Sequence, residues 1–147
     1  MRGRIVIVAL ALAACGAGSG EGLDQNGQPL SGGGGGAPPS GLQPTLASIQ
    51  DNVFTVSCAV PGCHGGAGAK QGLQLDPGFS AGNLINVPSP RDANLIRVVP
   101  GDPDASFLIQ KLDGTQTLGD RMPDGGPYLT TATINVIRQW IQDGALQ

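Results

Sequence analysis

The chain has 147 residues, enough for one domain of ordinary size. Charged residues make up 13% of it and the formal net charge is −3, which excludes the basic surface that nucleic-acid binding requires. No apolar run reaches the roughly 18 residues of a membrane-spanning helix, so the sequence excludes a polytopic membrane protein. Aromatic residues are only 3% and all follow residue 50, which predicts a thin core that something besides side chains helps to fill.

The N-terminal residues are typical of an exported lipoprotein. Two arginines precede a continuous apolar stretch, Ile5–Ala14, that is too short to span a bilayer. It ends in Leu12-Ala13-Ala14-Cys15, which resembles the bacterial lipobox, where the cysteine is lipidated and becomes the first mature residue. We therefore expect a signal peptide over residues 1–14 and a lipid anchor at Cys15. The anchored protein would face the periplasm or the cell surface. Gly16 after the cysteine favours the outer membrane, by resemblance to enterobacterial sorting. The alternative is an ordinary cleaved signal with a free cysteine nearby.

Residues 15–44 are predicted to be a linker. They contain the glycine run Gly32–Gly36, two adjacent prolines and few apolar residues. Such a segment buries too little surface to offset its ordering entropy. We expect a flexible tether whose ends lie roughly 30 Å apart.

Three amphipathic helices are predicted from Thr45 onwards. Thr45 is expected to cap the first helix, Asp102 to begin the second and Thr130 to cap the third. Gly114 and Gly144 are expected to end the second and third helices. The apolar faces consist of Leu46, Ile49, Val53 and Val56 in the first helix, Phe107, Leu108 and Leu112 in the second, and Ile134, Ile137, Trp140 and Ile141 in the third.

Loops rich in proline and glycine separate these helices, with one further short helix expected near residues 80–86. We therefore predict an all-α fold for residues 45–147, a small helical domain with long loops. Long loops in a small domain require something to organise them.

The cysteines provide a candidate. Cys58 and Cys63 follow the first helix, and His64, the only histidine of the chain, comes directly after them. In a c-type haem site two thiols add across the haem vinyl groups, and the adjacent imidazole binds the iron. The usual spacing is C-x-x-C-H, whereas four residues separate the cysteines here.

The domain resembles a class I cytochrome c, and is most similar to the small cytochrome domains of bacterial lipoproteins and of planctomycete-type cytochromes. Four features carry this resemblance in the right order: Phe54 before the first cysteine, the Cys58–Cys63–His64 group, the Arg121-Met122-Pro123 loop with Gly125-Gly126, and Leu129 with the terminal helix. The resemblance implies one covalent haem c around which the helices and loops pack. It also implies attachment through Cys58 and Cys63, iron ligation by His64 and Met122, and one-electron transfer.

Other readings of the same residues stay open. Cys58 and Cys63 can instead form a disulfide in an oxidising compartment, which would make the chain a non-catalytic surface lipoprotein. A haem with an open sixth position would make it a sensor or a peroxidase-like domain. A zinc site would have only three ligands, because no second histidine or further cysteine follows.

The expected function is therefore that of an electron carrier rather than of an enzyme with its own substrate. The expected partners are other redox proteins, of unknown identity, and the membrane through Cys15, but no nucleic acid. The net charge of −3 favours a redox partner with a basic patch.

Overall fold

The structure is a computed structural model, and it describes residues 41–147. The first helix, α1 (Leu46–Ile49), continues directly as a π-helix, Gln50–Cys58. A 3₁₀ turn at Lys70–Gly72 and the short helix α2 (Ser80–Leu84) follow, then the strands β1 (Pro88–Ser89) and β2 (Asp92–Ile96), and then the helices α3 (Phe107–Asp113) and α4 (Thr131–Gln142). Within these described residues no helix is both long and apolar enough to cross a membrane.

The predicted all-α fold class is wrong, because β1 and β2 form a two-stranded antiparallel sheet among the helices. Beyond the strand ends Arg97 N donates to Val87 O at 2.8 Å, which continues the hairpin. Val98 then forms an isolated parallel bridge with Ile85, in which Val98 N donates to Leu84 O at 3.1 Å. The sequence pattern does not predict this hairpin, because Pro88 and the prolines near it are typical of loops. A two-stranded sheet has only edge strands, and an edge strand tolerates a proline because its N–H is not needed for the ladder.

The first helix begins as predicted but follows a different periodicity. Thr45 Oγ1 accepts a hydrogen bond from Ser48 N at 3.3 Å, which confirms the cap. After Ile49 the hydrogen bonds run from residue i to i+5, so buried positions recur at wider intervals than in an α-helix. Val53 and Phe54 are buried, whereas Val56 is 65% exposed, so the prediction that Val56 belongs to the apolar face is wrong.

The two later helices confirm most of the predicted ends. Thr130 Oγ1 accepts from Thr133 N at 3.1 Å at the start of α4, and Gly114 ends α3 in the left-handed conformation, with φ of 82°. The start of α3 differs from the prediction: Asp102 Oδ1 accepts from Ala105 N at 2.9 Å, which closes a turn, and the helix begins only at Phe107.

One buried cluster joins the first helix, α2, α3 and α4. Trp140, only 1% exposed, and Phe54 are its two largest fully buried side chains. Leu42 also belongs to the cluster, although the sequence assigns it to the linker. The predicted signal peptide, the lipidation site Cys15 and the linker up to residue 40 lie outside the described residues.

Candidate functional site

The segment from Cys58 to His64 forms a tight loop at the end of the π-helix. Cys63 N donates to Val60 O and His64 N donates to Cys58 O, each at 3.0 Å, so the loop closes on itself. Gly65 lets the chain leave this loop. A Cβ at Gly65 would lie 2.5 Å from Ala59 O, a distance that real Cβ atoms do not tolerate.

His64 is half-buried, and its ring is held by a backbone carbonyl. His64 Nδ1 lies 3.1 Å from Leu73 O. A carbonyl oxygen only accepts hydrogen bonds, so Nδ1 carries the proton and Nε2 keeps a free lone pair. Burial lowers the pKa of His64; hydrogen bonds to the backbone of Leu73 and Lys70 oppose this shift, and the Arg97 and Lys70 charges add to it. The side chain is therefore a neutral imidazole with Nε2 available as a ligand.

Cys58 and Cys63 are both half-buried, and neither forms a disulfide. The Cys58 side chain packs against the core cluster. Burial, and secondarily the neighbouring Cys63, raises the pKa of Cys58 to about 11. The Cys58 thiol is therefore protonated at neutral pH.

Met122 lies in the loop that follows α3, and the end of that helix holds it in place. Met122 N donates to Lys111 O and Arg121 Nε donates to Leu112 O, both at 2.9 Å. The Arg121 guanidinium also stacks on the Tyr128 ring, with its carbon 4.2 Å from the ring centre. Beyond Met122 the loop turns back through Gly125 and Gly126, both with φ of 74°, a left-handed conformation that glycine adopts without a Cβ clash.

A cavity of about 270 Å³ brings His64 and Met122 together, because both side chains line it. This volume lies just below the roughly 300–1,000 Å³ that is typical of small-molecule sites. Cys58 and Cys63 lie outside its lining. Five large apolar side chains also line the cavity: Leu73, Leu84, Phe107, Leu108 and Leu118.

The cavity also contains charged residues that the sequence analysis missed. Four of its lining residues are cations, Lys70, Arg91, Arg97 and Lys111, and two are carboxylates, Asp120 and Asp124. Arg97 carried a detectable signal, since it interrupts the apolar run Leu95–Val99. The other three cations carry none, because they reach the cavity only through the fold.

The donors in the cavity fit a haem iron, since an imidazole nitrogen and a thioether sulfur are the axial pair of cytochromes c. Within residues 41–147 no group of three or more His, Cys, Asp or Glu residues is arranged to hold a metal ion. A histidine–methionine pair is not a site of that kind, so this finding bears on zinc and not on haem iron. No protein-family model, curated protein or solved structure matches the chain.

Proposed function

We propose that this chain is a lipid-anchored c-type cytochrome with one covalent haem, and that it transfers single electrons. Cys58 and Cys63 would attach the haem, His64 and Met122 would ligate its iron, and Cys15 would anchor the chain. The main support is that His64 and Met122 line one cavity while Leu73 O binds His64 Nδ1 and leaves Nε2 free.

The residues around the cavity suit this chemistry. A bound haem would supply a one-electron couple between ferric and ferrous iron. His64 would hold its Nε2 lone pair towards the metal, with the ring orientation fixed by Leu73 O. Met122 would supply a soft thioether, which favours the ferrous state and raises the potential relative to a second imidazole. The apolar wall would keep water from the iron.

Attachment requires no oxidant. Each thiol would add across one vinyl group of the haem, with its sulfur bonded to one vinyl carbon and its hydrogen to the other. The raised pKa of about 11 keeps the Cys58 thiol protonated at neutral pH. A protonated thiol is also a poor nucleophile, so we expect attachment to depend on the maturation machinery of the export compartment.

The decisive experiment determines what Cys58 and Cys63 are bonded to. We would purify the full chain from a host that matures c-type cytochromes, unfold it, and record the haem absorbance together with the mass of the peptide containing both cysteines. The expected result is one haem that stays with the unfolded peptide, with both thiols blocked to alkylation before and after reduction. Two thiols that become alkylatable only after reduction would support the disulfide-stapled lipoprotein and refute the haem.

A filled sixth position separates the electron carrier from a sensor or peroxidase-like domain. With Met122 as ligand, the reduced protein should bind carbon monoxide slowly, and the oxidised protein should show the weak absorption band at the red end that sulfur-to-ferric-iron ligation produces. Fast carbon monoxide binding without that band would refute Met122 as the ligand.

A further inference from the structure

Arg97 is a buried cation, and no carboxylate in the described part of the chain forms a salt bridge with it. Its side chain is 8% exposed, and its guanidinium donates to Asn83 O at 2.8 Å and to Gln71 O at 2.7 Å. Both salt bridges within residues 41–147 belong to Arg138 instead. Burying a charge is costly unless an opposite charge compensates it, and two neutral carbonyls do so only in part. Since Arg97 lines the cavity, its missing counter-charge is expected there.

Two further cations converge on the same cavity. Lys111 Nζ and Arg91 Nη1 lie 2.8 Å and 3.0 Å from the point that a Cβ of Gly119 would occupy. Like charges this close repel each other unless an anion lies near both. Burial lowers the pKa of Lys111, and the Arg91 charge adds to that shift while Asp120 and Asp124 oppose it. The cavity therefore has four cations against two carboxylates, although the whole chain has a net charge of −3.

The ligand that fits this wall is apolar with at least one anionic group. An inorganic anion would leave the five apolar side chains of the wall without a partner, and a wholly apolar ligand would leave Arg97 uncompensated. We propose that Arg97, assisted by Arg91 and Lys111, binds the carboxylate groups of the haem. This inference rests on the proposed function, since the haem provides both the apolar body and the two carboxylates.

Arg97 has the hydrogen-bonding capacity for this role. A guanidinium has five N–H donors, and the bonds to Asn83 O and Gln71 O use two of them. The hydrogen bonds to the two carbonyls also fix the orientation of the planar guanidinium before any ligand is present, so the side chain loses little conformational freedom on binding. A cation next to the haem carboxylates disfavours the ferric state and therefore raises the reduction potential.

The test compares purified holoproteins carrying Arg97→Gln, Arg97→Lys, Arg91→Gln and the control Arg138→Gln, whose arginine lies outside the cavity. Two quantities are measured: the reduction potential, and the resonance Raman bending bands of the haem carboxylates, which shift when a hydrogen-bond donor is lost. Arg97→Gln should lower the potential and shift the bands. Arg97→Lys should have a reduction potential closer to that of the wild type, because it keeps the positive charge. Its Raman bands should remain shifted, because lysine lacks the planar guanidinium donors. Arg138→Gln should change neither.

Arg91→Gln guards against a folding defect in the Arg97 variants, since Arg91 is exposed and its loss removes no core contact. It should lower the potential by less than Arg97→Gln does. If the wild type carries covalent haem but the Arg97 and Arg91 variants match Arg138→Gln in both quantities, this inference is overturned and the proposed function stands. A wild type without covalent haem overturns both.

Discussion

Replacing Gly65 by alanine should destabilise the loop that contains Cys58, Cys63 and His64. The added Cβ would lie 2.5 Å from Ala59 O, 2.9 Å from Ala59 C and 3.3 Å from Val60 C. These are backbone atoms inside a hydrogen-bonded turn, so they cannot move aside as the end of a flexible side chain can. Overpacking of this kind costs about 1–3 kcal/mol, and we expect the upper half of that range. A loss of about 2 kcal/mol lowers the ratio of folded to unfolded protein roughly 30-fold.

Gly68, three residues after Gly65, offers a matched control. A Cβ there meets nothing within 4 Å, and its φ lies outside the left-handed region. Gly68→Ala should therefore be neutral or stabilise the chain by about 0.4–1 kcal/mol, because alanine has less freedom than glycine in the unfolded state.

Urea unfolding of the full chain measures both variants, followed by circular dichroism and by the fluorescence of Trp140, the only tryptophan. With an m-value of about 1–3 kcal/mol/M, Gly65→Ala should lower the midpoint by roughly 1 M, while Gly68→Ala leaves it unchanged or raises it. Equal midpoints for the two variants would refute the close approach at Gly65. The content of the proposed covalent haem should fall with Gly65→Ala alone, since the adjoining loop holds the two cysteines that we propose attach it.

Three further predictions concern the ligand, the loop and the anchor. Met122→Leu keeps the side-chain volume and removes the sulfur, so it should cost less than about 1.5 kcal/mol of stability. It should keep the proposed haem, lower its reduction potential and open its iron to carbon monoxide; an unchanged potential would contradict the proposed ligation by Met122. Asp76 accepts hydrogen bonds from Gly66 N at 2.7 Å and from Gln74 Nε2 at 2.8 Å, which lower the pKa of this carboxyl below its ordinary 3.8. Its stabilisation is present above that pH and is lost as the pH falls through the folded pKa, so the wild type should exceed Asp76→Asn in urea midpoint at pH 7 and converge with it in acid; a difference that persists in acid would contradict this cause. Cys15→Ser should abolish lipid labelling in cells and release the chain from the membrane, and a variant that remains labelled would refute the anchor.

The features that the sequence predicts correctly are local ones. Thr45 and Thr130 cap helices because a hydroxyl reaches a backbone N–H three residues away, and Gly114 ends a helix because it adopts a positive φ without a Cβ clash. Each of these depends on a few consecutive residues, so the sequence contains all the necessary information.

The errors arise where distant contacts override the local pattern. Val56 fits an α-helical face, but the i to i+5 bonding of the π-helix turns it outward while Val53 and Phe54 are buried. Pro88 is typical of a loop, yet it pairs with Ile96 in the hairpin. Neither outcome follows from residue preferences, because the packing of the whole domain selects it.

The same distinction between local patterns and distant contacts applies to the residues of the candidate site. Cys58, Cys63 and His64 are close in sequence, so the sequence alone indicates that they act together. Arg97 becomes part of the site only through contacts with carbonyls 14 and 26 residues away, which the hairpin makes possible. The sequence alone therefore leads to the residues that we propose hold the cofactor, whereas the charges that we propose set its reduction potential become apparent only in the fold. Chains with the same attachment motif should accordingly differ in potential according to whether their fold buries a cation at the position of Arg97.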